Sequence, residues 1–113
     1  MRGMNKVMLI GHVGNDPEMI QKDDLSIAKF RMATTERWKD RDGYNHEKTE
    51  WHNIVAFRRL AEIIGEYVSK GTALYVEGRI QTNEWNDDDG NPRSRTEIIA
   101  NNMILLGSKA TAK

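Results

Sequence analysis

The sequence predicts an all-β domain: a five-stranded Greek-key barrel with one α-helix between strands 3 and 4 and long β-hairpins. Three observations carry this. Strand-like runs rich in β-branched and aromatic residues, several alternating with a period of two, recur along the chain. A single stretch, Arg58 to Lys70, switches to the helical period. Two acidic Asp-Gly turns, at Asp42-Gly43 and Asp89-Gly90, each separate a pair of such runs.

Taken in order, the first strand is Asn5 to Gly14, ended by glycines and by Asn15-Asp16-Pro17. Both of its faces are apolar, Val7 and Leu9 on one and Met8 and Ile10 on the other, which points to a subunit contact on the side not facing the core. Lys22-Asp23-Asp24 reads as a loop. Ser26 to Trp38 alternates Ala28, Phe30 and Met32 against Lys29, Arg31 and Ala33. The third strand, Thr49 to Phe57, sets Trp51, Asn53, Val55 and Phe57 on one face and His52, Ile54 and Ala56 on the other. The second face is a core face. The first builds either a surface on which unpaired bases stack or the cover of a small β core, and the strand alone leaves both open.

In the helix, Leu60, Ile63, Ile64, Tyr67 and Val68 form one apolar stripe, and Gly71 stands where a C-terminal glycine belongs. Thr72 to Trp85 follows, with Leu74, Val76 and Ile80 inward and Tyr75, Glu77, Arg79, Gln81, Asn83 and Trp85 outward. Arg95 to Leu106 is the last strand. Residues 1–107 make the domain and 108–113 a short polar tail. Three strands, a helix and two strands is the order of the OB-fold; an α+β sandwich of the same elements is the alternative.

The two hairpins echo each other. Trp38-Lys39-Asp40-Arg41-Asp42-Gly43 precedes Thr49-Glu50-Trp51 by the same interval at which Trp85-Asn86-Asp87-Asp88-Asp89-Gly90 precedes Thr96-Glu97-Ile98. An EF-hand calcium loop does not fit either one. With the glycine at the sixth position, Trp38 or Trp85 falls where an Asp is required and Thr49 or Thr96 where the bidentate Glu belongs.

Composition excludes other classes. The 113 residues are 38% hydrophobic and 30% charged, as in a soluble domain, and no apolar run nears the roughly 18 residues of a membrane span. No signal-peptide pattern opens the chain. Without cysteine there is no thiolate nucleophile or metal site, which fits a reducing cytosol. His12, His46 and His52 lack metal-ligand spacing, there is no GxSxG or P-loop, and Gly11-His12-Val13-Gly14 follows a strand, unlike the KH-domain GxxG it matches. No enzyme, metal or cofactor is expected. The formal net charge is zero, which by total counts against nucleic-acid binding. Its distribution does not: Asp23, Asp24, Asp40, Asp42, Asp87, Asp88 and Asp89 sit in loops, leaving Lys29, Arg31, Arg58, Arg59, Lys70 and Arg79 on or beside the strands and helix.

The segments Asn5-Lys6-Val7-Met8-Leu9-Ile10-Gly11, Asp16-Pro17-Glu18, Thr49-Glu50-Trp51-His52, Leu60-Ala61-Glu62, Tyr67-Val68-Ser69-Lys70-Gly71 and Tyr75-Val76-Glu77-Gly78 resemble, in this order, the bacterial single-stranded DNA-binding protein (SSB) family. The resemblance runs from about Asn5 to Gly107. It implies an OB-fold homotetramer, cytoplasmic and nucleoid-associated, that binds single-stranded DNA in replication, recombination and repair. It maps the family's stacking aromatics onto Trp38, Trp51, Phe57 and Trp85, its basic contacts onto Arg59, Lys70 and Arg79, and its subunit contacts onto Lys6, Leu9, His52 and Tyr75. Two departures stand out. Gln81, Asn83 and Glu84 replace basic residues that members often carry near Trp85. The Gly/Pro/Gln-rich tail and acidic tip that recruit replication and repair proteins are missing, so the chain is either cut or a tailless version of phage or plasmid type. The competing reading is an OB-fold protein-interaction module of the primosomal replication protein type, which has no need of three outward tryptophans; an oligosaccharide-binding OB domain is a third.

Overall fold

Alternate side chains of the long strands supply the core. Ala28, Phe30 and Met32 point inward from one strand, Ile54 and Ala56 from the next and Leu74 and Val76 from another, all at most 3% exposed. The computed structural model describes residues 1–107; the polar tail expected at 108–113 lies outside the described residues. The elements are β1 (Val7–Val13), β2 (Glu18–Lys22), β3 (Leu25–Lys39), β4 (Asn45–Phe57), α1 (Arg58–Tyr67), β5 (Ala73–Asn86) and β6 (Pro92–Gly107).

The expected five-stranded barrel with the helix between strands 3 and 4 is corrected by this topology. The structure is a six-stranded mixed sheet in the order β1-β5-β6-β4-β3-β2, with the helix between β4 and β5. Every pairing is antiparallel except β4 with β6, where Ile54 and Val55 lie opposite Ile98 and Ile99. The additional strand is β2, in the stretch ending at Lys22. It pairs with β3 from Glu18–Lys29 to Lys22–Leu25, turning through Asp23 and Asp24 alone. Asp23 takes a left-handed backbone (φ 56), which a short polar side chain tolerates. Neither signal of a hairpin is present. The turn has no glycine, and β2 is exposed except at Ile20, so no alternation marks it. Glu18 and Lys22 charge this sheet edge against pairing with other strands.

A second, two-residue pairing brings β1 against β3, His12 opposite Ala33 and Val13 opposite Met32. Gly11 permits the approach: a Cβ there would collide with the Ala33 carbonyl oxygen. The inner face of β1 is as expected, with Val7 and Leu9 packed against the core, while Met8 and Ile10 are 63% and 66% exposed.

Helix α1 starts where extended Phe57 turns through Arg58 (φ 61), without a side-chain cap or an acidic first turn. A ten-residue helix is marginal alone, so packing must hold it. Ala61 and Ile64 are buried and Leu60 partly so, against β3, β4 and β6. It ends at Tyr67, three residues before the expected Lys70. Val68 is extended and buried, and its N–H closes on the Ile64 carbonyl. Gly71 is therefore no helix C-terminal glycine; with φ 94 it shapes the turn in which Thr72 Oγ1 accepts from the Ser69 N–H. Tyr67, expected in the apolar stripe, is 57% exposed, and Ile80, expected inward, is 48% exposed because β5 there has run past the core. Among the described residues no helix is long and apolar enough to cross a membrane.

Gly11→Ala is expected to lower stability by about 1–3 kcal/mol, the usual cost of overpacking, because the obstructing atom belongs to the backbone. Urea unfolding at fixed protein concentration checks it; an unchanged midpoint would mean that β1 does not lie on β3 as described.

Candidate nucleic-acid interface

The β3–β4 ladder runs unbroken from Ile27–Phe57 to Lys39–Asn45. Directly opposed residues share a face of the sheet, so Lys29 and Arg31 join Val55, Asn53 and Trp51. The face continues across β6, because Ile99 lies opposite both Val55 and Arg79. Along β5 it reaches Gln81, Asn83 and, at its end, Trp85. Trp51 is 48% exposed, with the Arg31 guanidinium carbon 4.4 Å from the centroid of its ring, a cation–π contact. Gly14 backs the same ring so closely that a Cβ would collide with Cζ3. Trp51 is thus held in one orientation while half its surface faces solvent. Phe57, at the far end of this face, is 37% exposed.

Sequence reading did not single out Arg31 as a neighbour of Trp51. The signal was the hairpin register: Trp51 faces Ala33, which puts Arg31 on the diagonal within reach of a long side chain.

The other expected contacts are more dispersed. Trp38 projects from the opposite face of the β3–β4 ribbon to Trp51, by the alternation of β3. Its ring stacks on His46 directly across the ladder, centroids 5.4 Å apart and planes 17° apart. Arg59, in the first turn of α1, pairs with Glu62 at 3.3 Å. Lys70 is exposed in the turn after the helix, where its backbone N–H donates to Asp16 Oδ1. Arg79 donates to Gln81 on the same strand.

The two hairpin tips are built alike. Asp40 Oδ1 accepts from the N–H groups of Asp42 and Tyr44, and Asp87 Oδ1 from those of Asp89 and Asn91, all at 2.9 Å. Gly43 (φ 85) and Gly90 (φ 82) take the left-handed position in each turn. The second oxygen of each carboxylate holds a cation-forming side chain: His46 Nε2 donates to Asp40 Oδ2 (2.7 Å) and Arg93 Nε to Asp87 Oδ2 (2.9 Å). The His46 hydrogen bond, then the Tyr44 amide, holds the Asp40 carboxyl below its ordinary range. For Asp87 the Asn91 amide leads, supported by Arg93. Among the described residues, no three His, Asp or Glu side chains group as a metal site.

The residues expected at subunit contacts divide. Leu9 faces the protein's own core, and His52 is half-buried and hydrogen-bonded to Thr34 Oγ1 at 2.9 Å. Lys6 donates to Glu77 at 2.6 Å, and the Tyr75 hydroxyl donates to the same carboxylate at 3.0 Å. Glu77 raises the Lys6 pKa, Lys6 and Tyr75 lower that of Glu77, and partial burial raises that of Tyr75. Ile10, Tyr75 and Ile104 lie side by side across β1, β5 and β6, with Ile10 and Ile104 more than half exposed.

Residues 4–106 match the profile of the Single-strand binding protein family. The chain belongs to that family. It is 48% identical over 110 residues to "Single-stranded DNA-binding protein 1" of Chlorobaculum tepidum, covering 96% of this chain and 68% of that one. The Xylella fastidiosa protein of the same name is 46% identical (96% and 82% covered), and the Neisseria meningitidis "Single-stranded DNA-binding protein" 46% (94% and 62% covered). Of solved structures, the Plasmodium falciparum SSB in complex with ssDNA superposes with a TM-score of 0.86 at 34% identity, over 95% of this chain and 98% of that one. A deletion mutant of the Thermus aquaticus single-stranded DNA-binding protein gives 0.81 at 29%, over 96% and 53%. The family is named for binding and not for a reaction.

Two outcomes follow from this geometry. Gly14→Ala should displace the Trp51 ring with little loss of stability, read as a change in tryptophan emission at an unchanged urea midpoint; unaltered emission would mean the ring does not rest on Gly14. Order at both tips should be complete above the carboxylate range, about pH 4, and be lost as pH falls through the lowered values of Asp40 and Asp87. The amide shifts of Tyr44 and Asn91 report it, and titration of either at or above the ordinary Asp value would contradict the assigned hydrogen bonds.

Proposed function

We propose that this chain binds and protects single-stranded DNA without sequence preference, as a homotetramer, in replication, recombination and repair. Bases stack on Trp51, Phe57, Trp38 and Trp85, and Arg59, Lys70 and Arg79, joined by Lys29 and Arg31, contact phosphates. The observation that carries this reading is Trp51, fixed between Gly14 and Arg31 yet half exposed, on a sheet face that also bears Phe57 and Arg79. Membership of the family and the likeness to an SSB that its structure's name describes as complexed with ssDNA support it. The exposed apolar band of Met8, Ile10 and Ile104 supports self-association. The chain spans about two thirds of several relatives, so recruitment of replication and repair proteins is assigned to no residue described.

Trp51→Ala is expected to weaken binding of a labelled dT oligonucleotide by about 1–3 kcal/mol per stacked base, with circular dichroism and particle mass unchanged. An unaltered affinity in the folded variant would remove the stacking role. Light scattering of the unsubstituted protein should give the mass of four chains; a stable monomer would refute the tetramer.

A further inference from the structure

The hairpin echo extends beyond the turn. Counting from the tryptophan, both hairpins place an Asp two residues on, a left-handed Gly five on and a cation-forming side chain eight on: Trp38, Asp40, Gly43 and His46 in one, Trp85, Asp87, Gly90 and Arg93 in the other. The ladder puts the first and last of each set directly opposite each other, Trp38 with His46 and Trp85 with Arg93. In both, the Asp carboxylate bridges turn amides and cation, so the cation is fixed beside the indole. Each pair lines a concave shoulder of its hairpin. All four side chains remain substantially exposed, Trp38 and Trp85 at 49% and 48%, His46 and Arg93 at 44% and 59%.

The two tips differ in one respect. Arginine keeps its charge at every working pH, whereas histidine is the side chain that changes charge between about pH 5 and 8. With the His46 imidazole neutral, Asp40 stands beside Trp38 as an unopposed anion; with it protonated, the imidazolium cancels that charge. Among the described residues, β3, β4 and the turn between them form this tip. The charged groups they bring near His46 are Asp40, Arg41 and Asp42 in the turn, Glu36, Arg37 and Lys39 on β3, and Glu47 and Lys48 on β4. Arg37 and Glu47 already pair with each other.

We propose that His46 and Arg93 are the cationic halves of two equivalent strand-contacting tips, and that His46 makes the contact at the Trp38 tip depend on pH. The inference rests on the strand-binding reading above. A nucleotide on the Trp38 tip meets a net charge one unit more negative at high pH, and the phosphate contact weakens accordingly. The Trp85 tip keeps its contact throughout.

The test uses the full chain and a fluorescein-labelled dT oligonucleotide, titrated at several salt concentrations near pH 6 and near pH 8. The unsubstituted protein should bind about fivefold more tightly near pH 6, the worth of one unit charge about 4 Å from a phosphate in water. Its salt slope should be steeper there by about 0.7, one further phosphate contact on a single strand. His46→Gln should hold binding at the weaker level and His46→Arg at the stronger, each with the pH ratio brought close to one. A pH ratio that persists in both variants would overturn this inference and leave strand binding intact. No binding of dT at either pH would overturn the strand-binding reading and this inference together.

Discussion

The register of β3 against β4 is the constraint on which the rest of the molecule depends. Thirteen consecutive pairs run from Ile27–Phe57 to Lys39–Asn45 without a bulge. A slip of one residue would turn the slipping strand's side chains to the opposite face, exposing Phe30 and Met32 and burying Arg31 if β3 moved, or exposing Ile54 and Ala56 and burying Asn53 if β4 moved. Two features prevent it. At the tip, the Asp40 carboxylate and the left-handed Gly43 admit only one turn geometry. At the base, Ile54 and Val55 pair in parallel with Ile98 and Ile99, which ties β4 to the second hairpin. With the register set, the core, the Trp51–Arg31 contact and the Trp38–His46 stack all follow from position along the strands.

The zero net charge takes on a structural meaning in this light. Asp40 and Asp87 each saturate the amides of a turn and a neighbouring side chain, so much of their negative charge is engaged at the tips. Glu62 and Glu77 engage Arg59 and Lys6 in the same way. Such exposed pairs contribute little to stability, but they determine where positive charge remains available. On the outer sheet face, Arg31 lies against an aromatic ring. A balanced total is therefore compatible with a locally basic surface, because recognition of a strand depends on local potential and not on the sum.

Much of this was legible in the sequence where side-chain pattern and backbone agree. The alternation in β3, the face assignment of β4, the helix and the two matched hairpins all appear in the structure. What escaped lacked a side-chain signature. β2 is held by backbone pairing at an edge, with only Ile20 partly covered, so the topology came out one strand short. The helix runs to Tyr67 because Val68 is taken by the core, a tertiary demand that the 3.6-residue period cannot express. Ile80 looked internal by parity, yet parity assigns a side and not whether anything covers it. The roles of Arg31 and Gly14 beside Trp51 depend on cross-strand register and on contact between distant segments.

The central claim is that exposed indoles on this sheet and its hairpin tips are platforms for bases. It is tested most directly by titrating the unsubstituted protein with poly(dT) while following intrinsic tryptophan emission, at low and at high salt. The account predicts strong, saturable quenching, stoichiometric at low salt and weakened as salt rises. Emission that stays constant in a folded protein, at every concentration of poly(dT), would contradict it and would turn attention to the exposed strands as docking surfaces for protein partners.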